Sequence, residues 1–119
     1  MKKVNYDSLP SSFESVGNGS YLYRWDIEQR VNPDPAAQNS WECYEVTLCG
    51  LPTENAITQA TFAALWGDGV EQKLLNDFQA AQAGILDSAF ATPYTDFLAT
   101  RKALKEKIAD DFALWKSAM

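Results

Sequence analysis

The chain lacks histidine and has only two cysteines among its 119 residues. Histidine is the commonest general base near neutral pH and a frequent zinc ligand, so its absence excludes histidine-assisted nucleophilic triads and most zinc sites. Cys43 and Cys49 belong to one predicted strand and should lie about 20 Å apart, far beyond the ~7 Å limit for a disulfide. We therefore expect two free, buried thiols, with an intermolecular disulfide as the alternative.

Neither a concentration of charge of one sign nor a long hydrophobic run is present. The net charge is −6, with 4 basic and 7 acidic side chains in residues 1–52 and 6 basic and 9 acidic in residues 53–119. This even acidic balance argues against nonspecific nucleic-acid binding, which depends on clustered Lys and Arg. No segment approaches the ~18 apolar residues of a membrane span, and polar residues follow Met1-Lys2-Lys3 where a signal peptide would be apolar. A soluble, cytoplasmic protein without membrane contact is expected.

What the chain does contain is a strong strand pattern. Hydrophobic residues make up 46% and aromatic residues 13% of the chain, which suits one folded domain over residues 1–119. From Tyr21 to Glu28 the side chains alternate, which predicts a half-buried strand with one aromatic face. That face comprises Tyr21, Tyr23, Trp25 and Ile27. Asp26 and Glu28 are predicted to lie on the opposite, solvent-facing side.

A second strand of the same period runs from Ser40 to Cys49. Between the strands, Asn32-Pro33-Asp34-Pro35 cannot continue a β-ladder, so the two strands are predicted to form a hairpin over residues 21–50. Pairing centred on that loop would place Trp25 opposite Val46, Tyr23 opposite Leu48, and Ile27 opposite Tyr44. Residues 1–20 are either flexible or contribute a short third strand at the sheet edge.

Residues 53–119 have the periodicity of helices. Thr53 is the predicted N-cap of a first helix that ends near Gly67, and Asp68 caps a second that ends at Gly84. A third helix of about 25 residues begins at Thr92-Pro93 and would be about 37 Å long, so its C-terminal turns should project or contact a second copy. The predicted fold class is α+β in two layers: an antiparallel β-hairpin, with a third N-terminal strand as an option, packed on three C-terminal helices.

Carboxylate pairs are the nearest approach to catalytic chemistry in the sequence. They are Asp26 with Glu28, Glu42 with Glu45, and Asp110 with Asp111. None has a supporting motif, and we interpret them as solvated, charge-balanced positions. Gly67-Asp68-Gly69 lacks the Lys-Ser/Thr ending of a phosphate loop and predicts a helix-to-helix turn. No catalytic residue, cofactor or metal site is predicted.

The second face of the hairpin carries the predicted partner-binding residues. These are Leu22, Trp41, Cys43 and Cys49, which lie beside Arg24, Glu45 and Thr47. The mixture is too apolar for a fully solvated sheet face, so something should cover it. We favour the N-terminal segment with Phe13 and Val16; the alternative is a partner protein or another copy, which could also pair with an open strand edge.

The segments Tyr21–Ile27, Glu42–Val46, Ala64–Leu74 and Tyr94–Lys105 follow one another along most of the chain. Taken together they resemble small uncharacterised proteins encoded in prophages and related mobile elements of gut anaerobes. The resemblance implies a phage-associated accessory or structural role, such as tail assembly. It also implies a virion-associated location as the alternative to the cytoplasm.

The sequence thus predicts a noncatalytic protein-interaction or assembly module that binds a protein partner or itself. Two alternatives belong to other classes. One is a small metal-dependent hydrolase that uses only Asp and Glu. The other is a regulator that binds nucleic acid through the local basic concentration from Arg101 to Lys107, although no aromatic ladder accompanies it.

Overall fold

The computed structural model describes residues 1–67 and 69–118 and shows an α+β fold, as the sequence predicts. The strands are β1 (Val4–Tyr6), β2 (Phe13–Gly17), β3 (Ser20–Arg30) and β4 (Ser40–Cys49). The helices are α1 (Glu54–Leu65), α2 (Val70–Gln82) and α3 (Thr92–Ser117), with a 3₁₀ turn at Ser88–Ala91 before α3.

The sheet has more strands than the predicted hairpin. Four antiparallel strands lie in the order β1-β4-β3-β2 and form a curled, half-barrel sheet. The first 20 residues therefore contribute two strands, one at each edge, where the sequence suggested at most one. Both are short, with 3 and 5 residues, so their alternation is too brief to stand out from a loop.

The predicted hairpin exists, but its register differs by two residues. Tyr23 pairs with Val46 and Trp25 with Tyr44, where the sequence placed Trp25 opposite Val46. One residue of this difference comes from the loop, which spans residues 31–39 and pairs Arg30 with Ser40, and the other comes from a β-bulge within β3. Between Tyr21 and Trp25, a shift of two residues keeps each side chain on its predicted face.

A β-bulge interrupts β3 between Trp25 and Glu28. Asp26 adopts a φ of 52°, in the left-handed region that Asp tolerates better than most residues. Because the bulge inserts one residue, the alternation reverses beyond it and Glu28 lies directly opposite Glu42. The predicted assignment of Ile27 to the aromatic face and of Glu28 to the opposite face is therefore wrong.

The aromatic face of the sheet packs on α1 and α3. Trp25 and Val46 are buried there, as predicted. Thr53 caps α1 as predicted, since its Oγ1 accepts a hydrogen bond from the backbone N–H of Ala56 at 3.1 Å. The shared core consists of Phe13, Tyr23, Trp25, Val46, Leu48, Ile57, Leu104 and Ile108.

The helix α2 is not part of this core. None of its side chains is fully buried, although Leu74, Leu75 and Phe78 are half-buried, and its main neighbours are the 3₁₀ turn and α3. Its first residue follows Gly69, which has a φ of 82°; the predicted cap, Asp68, lies outside the described residues. No helix in the described ranges is long and apolar enough to cross a membrane.

The long helix α3 joins the two parts of the molecule. It has 26 residues, close to the predicted length, but its C-terminal turns do not project. The ring of Trp115, near the C-terminal end, lies 5.1 Å from that of Phe13 in the sheet. The N-terminal end instead carries α2, with the rings of Phe78 and Tyr94 5.1 Å apart. We call residues 70–96 the helical projection.

Trp25→Ala should lower the free energy of unfolding by about 3–5 kcal/mol, because it leaves a cavity between the sheet and α3. Urea denaturation followed by circular dichroism measures this loss. Leu51→Ala is the matched control, since Leu51 is 71% exposed and its truncation should change stability by less than about 0.5 kcal/mol. Equal stability of the two variants would show that this packing is wrong.

Candidate functional site

Arg24 lies at the centre of the sheet face that points away from the helices, and only 2% of it is exposed. Its neighbours Tyr23 and Trp25 occupy the aromatic face, so the alternation of β3 directs Arg24 to the opposite side. Its guanidinium donates to Glu45 at 2.8 Å and to Glu14 at 2.7 Å. Side chains on β2 and β4 thus meet one cation on β3.

The remaining donors of Arg24 are taken up by the N-terminal segment. Nη1 donates to the carbonyl of Ser11 at 3.1 Å, and Nη2 donates to the hydroxyl of Tyr6 at 3.0 Å. The ring of Tyr6 also lies against the guanidinium, 4.6 Å from centroid to Cζ. We call Tyr6, Glu14, Arg24 and Glu45 the Arg24 cluster, and its members come from all four strands.

The electrostatics of the Arg24 cluster favour the charged form of arginine. Burial opposes the charge, but hydrogen bonds to Glu14, Glu45 and Tyr6 outweigh that cost, so the pKa of Arg24 lies above its ordinary value. Burial, and then the hydrogen bond that its hydroxyl donates to Glu45, raise the pKa of Tyr6. An incoming anion would have to displace Glu14 or Glu45. The cluster therefore holds strands together and is poorly suited to bind a ligand.

A second polar link crosses the aromatic face. The hydroxyl of Tyr23 donates to Asp111 Oδ2 at 2.7 Å, and Lys107 Nζ donates to Asp111 Oδ1 at 2.9 Å. The sequence placed Asp111 on a solvated face, but it is only 7% exposed because it turns toward the sheet. Burial, and then the hydrogen bond to Asp111, raise the pKa of Tyr23.

The four predicted partner-binding residues differ in exposure. Leu22 and Trp41 are half-buried, Cys43 is fully buried and Cys49 is exposed. Both thiols are free, and burial raises the pKa of Cys43. The expectation of a buried thiol is therefore wrong for Cys49. Cys43 has no surface to offer a partner, because Val4 of β1 pairs beside it at the sheet edge.

The N-terminal segment does contact this face, through residues other than the predicted ones. Phe13 packs on the aromatic face, where its ring lies 4.9 Å from that of Tyr23, and Val16 is 47% exposed. The contacts with the second face come from Tyr6, the Ser11 carbonyl and Glu14. A partner is thus not needed to cover the centre of the sheet.

The other candidate residues do not assemble into a reactive site. Within residues 1–67 and 69–118, no three His, Cys, Asp or Glu side chains come together as metal ligands. The basic stretch from Arg101 to Lys107 is divided, because Arg101 pairs with Glu71 at 2.6 Å and Lys107 pairs with Asp111. Lys102 and Lys105 are exposed. Each of the paired cations is thus partly neutralised within the chain.

A crevice of about 360 Å³ lies where α1, α2 and α3 meet. Aromatic rings form its wall, with Trp66 4.8 Å from Phe97 and 5.1 Å from Phe62. The Arg101–Glu71 ion pair also lines it. This volume is at the lower end for ligand pockets, and the ion pair occupies its charged groups. The aromatic contacts and the ion pair around this crevice therefore fix the base of the helical projection.

The most distinctive surface is the helical projection itself. The radius of gyration is 18.0 Å, against about 13.5 Å for a compact chain of this length. The accessible surface is 7820 Å², against about 6,500 Å² for a compact monomer of this mass. Large apolar side chains are exposed near its tip, with Ile85 78% and Phe90 48% exposed. This surface is the candidate functional site.

Comparisons with known proteins leave the function to be argued from the geometry alone. No family model, curated protein or solved structure matches this chain. The resemblance to prophage-encoded proteins stays a prediction.

Arg24→Ala should destabilise the fold by about 3–5 kcal/mol, because it leaves Glu45 and Tyr6 partly buried without their cation. Glu14→Ala removes a carboxylate whose side chain is 52% exposed and should cost about 1 kcal/mol or less. Urea denaturation of both variants measures the difference. Equal losses would contradict a central role for the buried guanidinium.

Tyr23→Phe should change how stability depends on alkaline pH. Above the ordinary tyrosine pKa of 10.0, the unfolded chain releases the phenol proton while folded Tyr23 retains it, so its contribution to stability falls as pH rises. The variant lacks this contribution. Its deficit relative to wild type should be largest below about pH 10 and shrink above it, as measured by urea denaturation across pH. A constant deficit would contradict the raised pKa.

Proposed function

We propose that this protein is a noncatalytic protein-interaction or assembly module that binds a partner protein through the helical projection. The observation that carries this proposal is the exposed apolar tip on helices that bury little against the sheet. Ile85 and Phe90 lie at the connection between α2 and α3, and α2 has no buried side chain. We infer that these two side chains form one apolar patch, and exposed apolar patches are typical of interaction sites.

The charges on the helical projection indicate the chemistry of the partner. Residues 70–96 contain four acidic side chains and one basic one: Glu71, Asp77, Asp87, Asp96 and Lys73. Lys73 is already paired with Asp77 at 3.0 Å, and Glu71 is paired with Arg101 at 2.6 Å, which leaves Asp87 and Asp96 as the acidic groups without a salt bridge among the described residues. A partner that presents an apolar patch with a basic rim would therefore be complementary to this surface.

The sheet supports this role by anchoring the projection. The C-terminal half of α3 is fixed through Asp111, which accepts the hydrogen bond from Tyr23, and through Trp115 against Phe13. The N-terminal half can therefore extend from a rigid base without a large ordering cost on binding. We also propose a phage-associated accessory or structural role for this module.

A capture experiment in lysate of the native host tests the proposal. Tagged wild-type protein should retain a specific partner, and Ile85→Ser combined with Phe90→Ser should reduce its recovery at least about tenfold, because both side chains supply apolar contact area. Quantitative mass spectrometry measures the recovery. Thermal unfolding should show both proteins equally folded.

Leu51→Ser is the matched control, since Leu51 is as exposed as the tip residues but lies between β4 and α1. It should retain the partner at the wild-type level. Equal recovery by all three proteins would show that the helical projection is not the binding surface.

A further inference from the structure

The outer edge of β3 is open over its second half. β2 pairs with β3 only from Ser20 to Tyr23, with one further hydrogen bond from the Arg24 amide to the Ser12 carbonyl. Beyond the bulge, from Glu28 to Arg30, β3 pairs with β4 on one side and with no strand of the described chain on the other. Such an edge presents backbone donors and acceptors to any strand that can reach it.

The open edge is accessible. A crevice of about 300 Å³ lies beside residues 24–28, at the start of this edge, with Ser12 at the end next to β2 and Lys107 of α3 on one side. Glu28 and Arg30 have side chains that are 69% and 66% exposed, and Val31 is 71% exposed. A strand lying here would continue the line of β2.

The sequence of this edge is complementary to itself. Residues 27–31 read Ile-Glu-Gln-Arg-Val, with acid and base placed symmetrically about Gln29. In an antiparallel pair of identical strands centred on Gln29, Glu28 of each copy lies opposite Arg30 of the other. Ile27 then lies opposite Val31. Slipping by two residues in either direction would set Glu28 against Glu28 or Arg30 against Arg30, so the charges select this register.

The charges within one chain also favour the approach of a cation from another copy to Glu28. Glu28 lies directly opposite Glu42 on β4, which places two carboxylates side by side. Arg30 reaches Glu42 at 3.1 Å, and Lys3 reaches Glu28 only at 3.7 Å. An Arg30 from another copy would therefore approach a carboxylate that has one distant partner of its own.

We propose that two copies of this chain associate through β3, pairing residues 27–31 antiparallel to form one continuous eight-stranded sheet. The contact is a two-fold symmetric one, in which the same edge serves both copies. The bulge between Trp25 and Glu28 interrupts the regular edge and limits the pairing at the Ile27 end, while Val31 lies one residue beyond β3. This self-association does not depend on the helical projection and goes beyond the partner binding proposed above.

Charge reversal with rescue tests the register. In a Cys49→Ser background, which removes the exposed thiol, sedimentation equilibrium should show a dimer. Glu28→Arg and Arg30→Glu should each weaken dimerisation about tenfold or more, because each creates two like-charged pairs. The double variant, Glu28→Arg with Arg30→Glu, should restore it to within about threefold, because the opposite charges face each other again.

A crosslink tests the position directly. Gln29→Cys in the same background should form a covalent dimer under mild oxidation, because the two positions face each other at a distance that a disulfide can span. Gln59→Cys, on the exposed surface of α1, is the control and should remain monomeric on a denaturing gel.

Two outcomes would overturn this inference. One is a protein that stays monomeric at all concentrations with no crosslink at position 29. The other is a dimer that tolerates Glu28→Arg and Arg30→Glu but is lost with Ile85→Ser and Phe90→Ser, which would place self-association on the helical projection instead. Failure of the proposed function is distinguishable, since it would leave the dimer intact and abolish only partner capture.

Discussion

Burial of Arg24 is the constraint on which the sheet depends. A guanidinium with 2% exposure is stable only if its donors are satisfied, and the acceptors come from Glu14, Glu45, Tyr6 and the Ser11 carbonyl. Three of these groups belong to the first 14 residues, so the N-terminal segment must reach both edges of the sheet to supply them. β1 and β2 have few ladder hydrogen bonds of their own, and the Arg24 cluster adds the side-chain contacts that fix them in place.

The way α3 is anchored on the aromatic face explains why the helices extend beyond one end of the sheet. Tyr23 donates to Asp111 in the C-terminal half of α3, and Trp115 packs near Phe13, so this half of the helix is bound to the sheet. A helix of 26 residues is about 39 Å long, which exceeds the reach of the strands it covers. The part of α3 that extends beyond the sheet is its N-terminal end. There α2 covers only one side of the helix. The exposed apolar tip is thus a consequence of where α3 is anchored.

Periodicity in the sequence predicts the elements and faces of this fold, but contacts depend on geometry that periodicity does not contain. Thr53 could be recognised as a cap because its role is local, and Trp25 as core because its alternation is strong. The bulge could not be recognised, since Asp26 carries no glycine-like signal, and it reversed the faces of Ile27 and Glu28. The burial of Arg24 and of Asp111 could not be recognised either, because it depends on partners that are distant in the sequence. A single arginine between two aromatic residues in a strand is a usable signal, but its partners become evident only with the correct register.

The charges of Glu28 and Arg30 give the open edge of β3 its specificity. Proteins commonly protect an exposed strand with charges, which repel or fail to match most incoming strands. Glu28 and Arg30 act in that way toward a foreign strand, because a strand without the opposite pair would bury a charge without a partner. A second copy of the same edge is the one strand certain to carry the complementary order. The charges that discourage indiscriminate pairing therefore favour self-pairing in one register, and the bulge at Asp26 sets where that register begins.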